Sequence, residues 1–496
     1  MINSFNDDLP YDAFLVEQIA GDLLAKREPQ TRARERIIAT GYIALARRFN
    51  NAAYNSMHLV VDNTIDTIGR GVLGMSLGCA RCHDHKFDGI TTKDYYGLAG
   101  YFHSTQYPHA GTEHHRQRLN FVELEGGGIA YAVTDKKDAS EIGDTRVHIQ
   151  GEPKDLGEVV VRGFLPAITP KAANQADIPE GESGRLQLAR WIASADNPLT
   201  ARVMVNRLWA LCFGRGLAMP LDDFGAQGTP PTHPELLDWL AADLMDHGWD
   251  IKRTMKLLVT SGAYRQSSIA DAKTLAADPL NKWLARQGRW RLDAEMVRDN
   301  ALAVSGLLAK PIGGASVKPY QPVGYWKHLN FPKRKWAPDS GVSQYRRGLY
   351  TFWCRTFLHP SMLAFDAPTR EGCTAERTRS NIPQQALVLL NDPTYVEAAR
   401  VFAELILRNG GDTDAKRLAW AFERALSRGA SAAERDILLR LARERTEHFA
   451  ANAGAAKAAA TAGEWPVTTA LKPEHVAAWT AVSRAILNLY ETTSRF

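Results

Sequence analysis

A stretch that begins at Leu77, LGCARCHDHKFDGITTKDYYGLAGYFHST, places Cys79 and Cys82 three residues apart with His83 directly after them. Cys-x-x-Cys-His is the pattern that attaches c-type haem: two thiols bond the porphyrin and the adjacent imidazole becomes an axial ligand of the iron. With only five cysteines in 496 residues, a chance occurrence of the pattern is about a one-in-a-thousand event. Three kinds of site share it. The first is haem c on Cys79, Cys82 and His83. The second is a zinc or other transition-metal centre, in which His83 or His85 joins Cys79 and Cys82 and Cys373 is the candidate further ligand. The third is a disulfide or dithiol switch between the two thiols.

Haem iron also needs a group on its far side. The next methionine, Met204, is distant in sequence, so a histidine from the tract His103, His109, His114 and His115 would have to serve. Asp84 and Asp88 are placed to orient a ligating imidazole. With Lys86, Asp94 and Tyr95 they read equally as helix caps and salt bridges. A second concentration of polar groups, FDAPTREGCTAERTRSNIPQQ, holds Asp366, Arg370, Glu371, Arg377, Arg379, Asn381 and Gln384. Arginine forks there could take an anionic or hydroxyl-rich ligand, with Asp366, Arg370, Glu371 and Arg377 as the binding candidates; an internal ion-pair network is the competing reading. Because Cys373 sits among charges rather than apolar residues, this loop is expected to face the Cys79–His83 region, with Arg370 near a propionate or an anionic substrate. His233 is assigned to a helix start, and Asn206 and Arg207 form a polar pair in an apolar helix that demands partners.

The elements that must carry these groups are mostly helices. Periodicity predicts helices over 11–25 and about 31–50, and a further one through TIDTIGRGVLGMSLGCARCHDH that would present Cys79, Cys82 and His83 on one face. Between about 119 and 165, short β-branched runs punctuated by Gly, Pro and Asp predict a small β-rich module. After Gly184 helices dominate: two segments split at Pro198, one capped at Thr232 and stopped at Gly248, and one capped at Asp293. Further helices are expected near 383–391, 393–408, 412–427, 431–460 and 473–490, with 454–462 a low-complexity linker or frayed end. The expected fold class is mainly α (α+β), divided as 1–118, 119–183, 184–440 and 441–496.

Composition excludes several classes. A formal charge of +5, with basic and acidic residues interspersed, argues against a nucleic-acid stripe. No run of about 18 uncharged apolar residues predicts a membrane span. No Ser-His-Asp signature, phosphate-binding glycine loop or dinucleotide fingerprint stands out. The start, MINSFNDDLPYDAFLVEQIAGDLL, lacks a signal-peptide pattern and reads as the interior of a domain, so the chain is expected to be N-terminally truncated.

Several longer phrases, among them LGCARCHDHKFDGITTKDYYGLAGYF, NPLTARVMVNRLWALCFGRGL, DDFGAQGTPPTHPELLDWLA, SGAYRQSS and FDAPTREGCTAERTRSNIPQQALVLLNDP, resemble the planctomycete cytochrome c-type domain and the planctomycete-specific domain. The first resemblance covers residues 1 to about 105 and the second about 184 to 440. Both families are of unknown function. The resemblance implies an exported or periplasmic protein, often accompanied by a cytochrome c module or redox partner. The resulting expectation is a haem-bearing redox or electron-transfer protein that acts on carbohydrate-like material. A metal-dependent hydrolase or lyase, or a non-enzymatic surface-binding protein, is the alternative.

Overall fold

The helix Met57–Ile68 shows how the sequence builds its first unit. Val60, Val61, Thr64, Ile65 and Ile68 recur at helical spacing and are buried, which leaves His58, Asp62, Asn63 and Thr67 off the core face. In this computed structural model, which describes residues 1–29, 31–48, 56–111, 116–169, 177–328, 335–354 and 357–495, the chain is mainly α with small β elements.

The predicted continuous helix into the cysteine motif does not form. A wide turn over Gly69–Leu73 ends it, and Gly74 adopts a left-handed conformation (φ 60°). A Cβ on Gly74 would lie 2.8 Å from Val203 and 3.0 Å from Phe224, and the Phe224 amide donates to the Gly74 carbonyl at 2.6 Å. Contacts more than a hundred residues away in sequence therefore stop the helix. Buried Met75, Ser76 and Leu77 then lead into a single tight turn, Gly78–Arg81.

The helix Thr92–His103 follows, opened by a capping box between Thr91 and Asp94. Its Tyr95, Tyr96, Leu98, Ala99, Tyr101 and Phe102 are buried. A Cβ on Gly100 would come 2.6 Å from the Arg162 side chain, so the bare backbone there admits the chain after the second strand of a hairpin. That hairpin pairs Thr145–His148 with Leu156–Val160. The expected β module starts earlier than 119. It consists of separate two-stranded antiparallel pairs, the first joining Thr105–Gln106 to Thr134–Asp135. Each of these strands pairs with only one other among the described residues, so no larger sheet forms.

Residues 31–50 give two short helices, Ala33–Ala39 and Gly41–Ala44, in place of one, and positions 49–50 lie outside the described residues. Arg185–Ile192 and Thr200–Phe213 flank Pro198 as expected. The helix Pro234–Asp246 is preceded by His233 rather than capped by Thr232.

Packing divides the chain into two compact units, Met1–Gly288 with Arg370–Glu376, and Arg289–Thr369 with Arg377–Phe496. The β pairs therefore share a unit with the helices on both sides of them. The core of the first unit runs from Tyr11 to Leu258. In the second unit Pro393–Asn409 and Pro473–Leu487 bury Phe402, Ile406, Trp479 and Val482 in one core. The alanine-rich stretch forms a helix, Ala453–Ala460, with Ala456 and Ala460 buried, because alanine favours helix and permits close approach. Among the described residues no helix is long and apolar enough to cross a membrane.

Candidate functional site

Three elements of the first unit fix the Cys79–Cys82 turn. From Met57–Ile68, Asp62 accepts a hydrogen bond from Tyr95 Oη at 2.7 Å and lies 3.8 Å from the Arg81 guanidinium. From Thr92–His103, Tyr96 Oη donates to the Arg81 carbonyl at 3.1 Å. From the hairpin, the Gly151 carbonyl accepts from Arg81 at 3.1 Å. Gly151 has φ 78°, and a Cβ there would sit 2.5 Å from Cys82 Sγ, so only glycine lets the hairpin close over this sulfur.

The chemistry-bearing groups face outward. Cys79 and Cys82 are exposed and not disulfide-bonded. His83 is exposed, and its Nδ1 lies 2.7 Å from the Asp84 carbonyl. A carbonyl only accepts, so Nδ1 carries a proton, and in the neutral ring it is Nε2 that can act as a ligand. Asp84 in turn accepts from the Thr92 amide at 2.8 Å.

His85 points the other way. It is buried, its Nδ1 accepts from the Asp88 amide at 2.9 Å, and its Nε2 is 3.3 Å from Ser76 Oγ. With both ring nitrogens engaged it supports the turn rather than joining His83 at the surface. Asp88 accepts from the Ala226 amide at 2.7 Å and packs against Gly225, where a Cβ would fall 2.5 Å from its carboxylate. Asp94 belongs to the helix cap and Lys86 lies over the Phe87 ring at 5.1 Å.

A histidine group, of which only His103 was singled out from sequence, lies beside the turn. The His148 ring is 5.2 Å from Tyr96 and 6.1 Å from His103. Burial foremost, then the neighbouring His148, Lys136 and His58, pull the His103 pKa down to about 4. Burial also lowers His148 and His58, with Arg81 adding to both. His58 and Asp62, four residues apart on one helix, carried a faint sequence signal; His148, at a strand end, carried none. Of the other proposed distal groups, His109 is buried in a strand, His114 and His115 lie outside the described residues, and Met204 packs against the core.

Cys373 packs on the first unit beside Gly71. Its sulfur is 3.6 Å from where a Gly71 Cβ would stand, and burial holds the thiol above its ordinary pKa. With Arg370 and Glu371 it lines a cavity whose opposite wall is Tyr42, Asn63 and Thr67. Among the described residues no three His, Cys, Asp or Glu side chains come together to hold a metal. The loop that carries the candidate arginines is divided between jobs. Asp366 in the second unit accepts from the Ser380 amide and hydroxyl, both at 2.7 Å. Arg377 pairs with Glu295 at 2.7 Å, and Arg379 reaches Asp293 at 3.3 Å. These three hold the scaffold of that unit, and Asn381 and Gln384 are exposed beside them. Asn206 exchanges two hydrogen bonds with Ala218, and Arg207 donates to the carbonyls of Gly71 and Arg70, which secures the wide turn.

No curated protein and no solved structure matches the chain. Two family models do: one described as PSCyt2, a protein of unknown function (DUF1549), over residues 1–107, and one described as PSD1, a protein of unknown function (DUF1553), over residues 184–442. Since the second model spans more than half of the sequence, the chain belongs to the PSD1 family of proteins of unknown function (DUF1553).

Proposed function

We propose that the Cys79–His83 turn is a covalent haem attachment site and that the protein is an exported redox or electron-transfer protein. One observation carries this reading: two exposed, unbridged thiols three residues apart stand beside an exposed imidazole whose Nδ1 is committed to a carbonyl. That donor set fits haem c: Cys79 and Cys82 would bond the porphyrin and His83 would bind its iron. A haem held there supplies one-electron chemistry. Asp84 fixes the His83 tautomer, Arg81 anchors the turn to the hairpin, and Tyr96 ties it to the helix behind. A redox partner protein and an oxidisable, carbohydrate-like substrate belong to the same proposal.

The second reading, a dithiol–disulfide couple, draws on the same exposed pair on one turn. A metal-dependent hydrolase draws less support, since it needs a third donor beside the thiols. The test is expression of the full chain with a haem-ligation system and export signal, followed by acid-acetone extraction and absorption spectroscopy. A chromophore retained by the polypeptide and lost in Cys82→Ser is expected; a colourless wild-type product overturns the haem reading.

A further inference from the structure

The segment Arg370–Glu376 packs in the first unit although the chain on both sides of it belongs to the second. None of its seven residues is buried, so burial of apolar surface does not account for the excursion. Ordering a polar segment costs conformational entropy that something else must offset. What the segment meets is the wide turn Gly69–Leu73, just before the cysteine loop.

Wide turns are rare in helices, and this one is held from several sides. A Cβ on Gly71 would stand 3.0 Å from Tyr42 Oη and 3.6 Å from Cys373 Sγ, so a bare backbone lets the segment and the helix Gly41–Ala44 both close on the turn. Arg207 fastens the Gly71 and Arg70 carbonyls. Glu371 lies 3.9 Å from Arg47, whose amide donates to Asn63 at 2.8 Å, so the segment is also tied to the helix that runs into the turn. On its other side the turn is wedged against the residues that lead to Cys79. A Cβ on Gly69 would fall 2.7 Å from the Met75 carbonyl and 2.9 Å from the Leu77 side chain, and the Met75 amide donates back to the Gly69 carbonyl at 3.0 Å. Leu77 accepts from the Ala80 amide at 3.1 Å, between the two cysteines. Asp66 spans both levels: it accepts from Arg70 at 2.9 Å and lies 3.9 Å from where a Gly78 Cβ would stand. Burial foremost, opposed by Arg207 and Arg70 and supported by Asp66 and Asp222, holds the Cys373 thiol above its ordinary pKa, so it packs as a neutral group.

We propose that Arg370–Glu376 is a strap that holds the wide turn and, through it, fixes Cys79 and Cys82 relative to the hairpin. With the strap in place, Cys82 keeps its sulfur against Gly151 while Cys79 has no such cover, so the two thiols differ in reactivity. With the strap displaced, the turn loses one of its fastenings and the cysteine loop opens more readily, so the two thiols become alike. Arg370, Glu371 and Cys373 act through the turn, as positioning residues. The strap does not depend on a bound haem: thiol rates are read on protein without a cofactor, so a colourless product overturns the haem reading and leaves the strap standing.

The full chain is alkylated with iodoacetamide, and the rates at Cys79, Cys82 and Cys212 are followed by peptide mass spectrometry. In the wild type Cys82 is expected to label more slowly than Cys79, and Cys212, 2% exposed, slowest of the three. The triple variant Arg370→Gly, Glu371→Gly and Cys373→Gly should bring the Cys82-to-Cys79 ratio severalfold closer to one and speed hydrogen exchange at the Met75 amide. Cys373→Ser keeps a small polar group against Gly71 and should leave the ratio as in the wild type. Fast labelling of Cys212 would show that the triple variant has lost its fold, and Glu371→Gly, which removes only one carboxylate, then decides by the same ratio. Equal rates at the two thiols in the wild type, or an unchanged ratio in the variant that keeps its fold, overturns the proposal.

Discussion

Around Arg400, in the second unit, every charge is shut away and answered. Its guanidinium is fully buried and donates to Glu404 at 2.7 Å and to the carbonyls of Ala462 and Trp465. Glu397, 1% exposed at its side chain, accepts from Tyr345 Oη at 2.9 Å and from the Trp465 amide at 2.6 Å, and Glu404 also accepts from Thr468 at 2.6 Å. Around Cys79–His83, in the first unit, the supporting groups are bonded in the same way, yet two thiols and an imidazole are left exposed. A buried group must be satisfied or it destabilises the fold. A group that is held rigidly but left unsatisfied at the surface is available for chemistry. Residue type alone does not separate the two cases: both regions are rich in Arg, acids and Tyr.

The largest expected effect comes from breaking the closed network. Arg400→Leu strands two buried carboxylates and should cost about 3–5 kcal/mol, seen as a large fall in the midpoint of thermal unfolding. A loss below about 1 kcal/mol would mean that the network is not the fastening of the 461–471 loop that the contacts describe.

Acid should then separate the units. His103 titrates near 4 when folded and near its ordinary 6.5 when unfolded. Between those values the unfolded chain binds more protons, so stability falls as the pH drops through 6.5 towards 4, by about 2–3 kcal/mol from this residue. Lowered His58 and His148 act in the same direction. In the second unit, His359 is also brought down to about 4 by burial. There Asp392, raised to about 6 by burial, has the opposite sign: it is protonated longer in the folded state, so acidification through 6 towards 4 restores stability. Hydrogen-exchange protection at about pH 5, near the middle of this window, should therefore fall more in Thr92–His103 than in Pro393–Asn409. Equal loss in both helices contradicts the contrast.

The smallest effect sharpens the open site. Gly151→Ala forces a left-handed residue to carry a Cβ against Cys82 Sγ and should cost about 1–2 kcal/mol. It should also alter the alkylation rate of Cys82 more than that of Cys79. Unchanged rates at both would show that the hairpin does not control access to the sulfur.

The sequence by itself determined the local events. Pro383 and Pro393 open their helices where the fixed φ of proline predicts, and Ser431 with Glu434 forms a capping box, because caps and first turns depend on residues only a few positions apart. The Cys-x-x-Cys-His turn was legible for the same reason: its chemistry lies within five residues. Tertiary structure decided what distant residues impose. Phe224 and Val203 end the helix at Gly74, so Cys79, Cys82 and His83 do not share a helical face. His148 and Gly151 reach the turn only because the hairpin folds over it. Cys373 and Arg370 join Tyr42 and Thr67, while Arg377, four positions beyond Cys373, pairs with Glu295 in the other unit. Spacing along the chain says nothing about such pairings, since what brings the groups together is the burial of apolar faces elsewhere, and only the packed core sets where those faces meet.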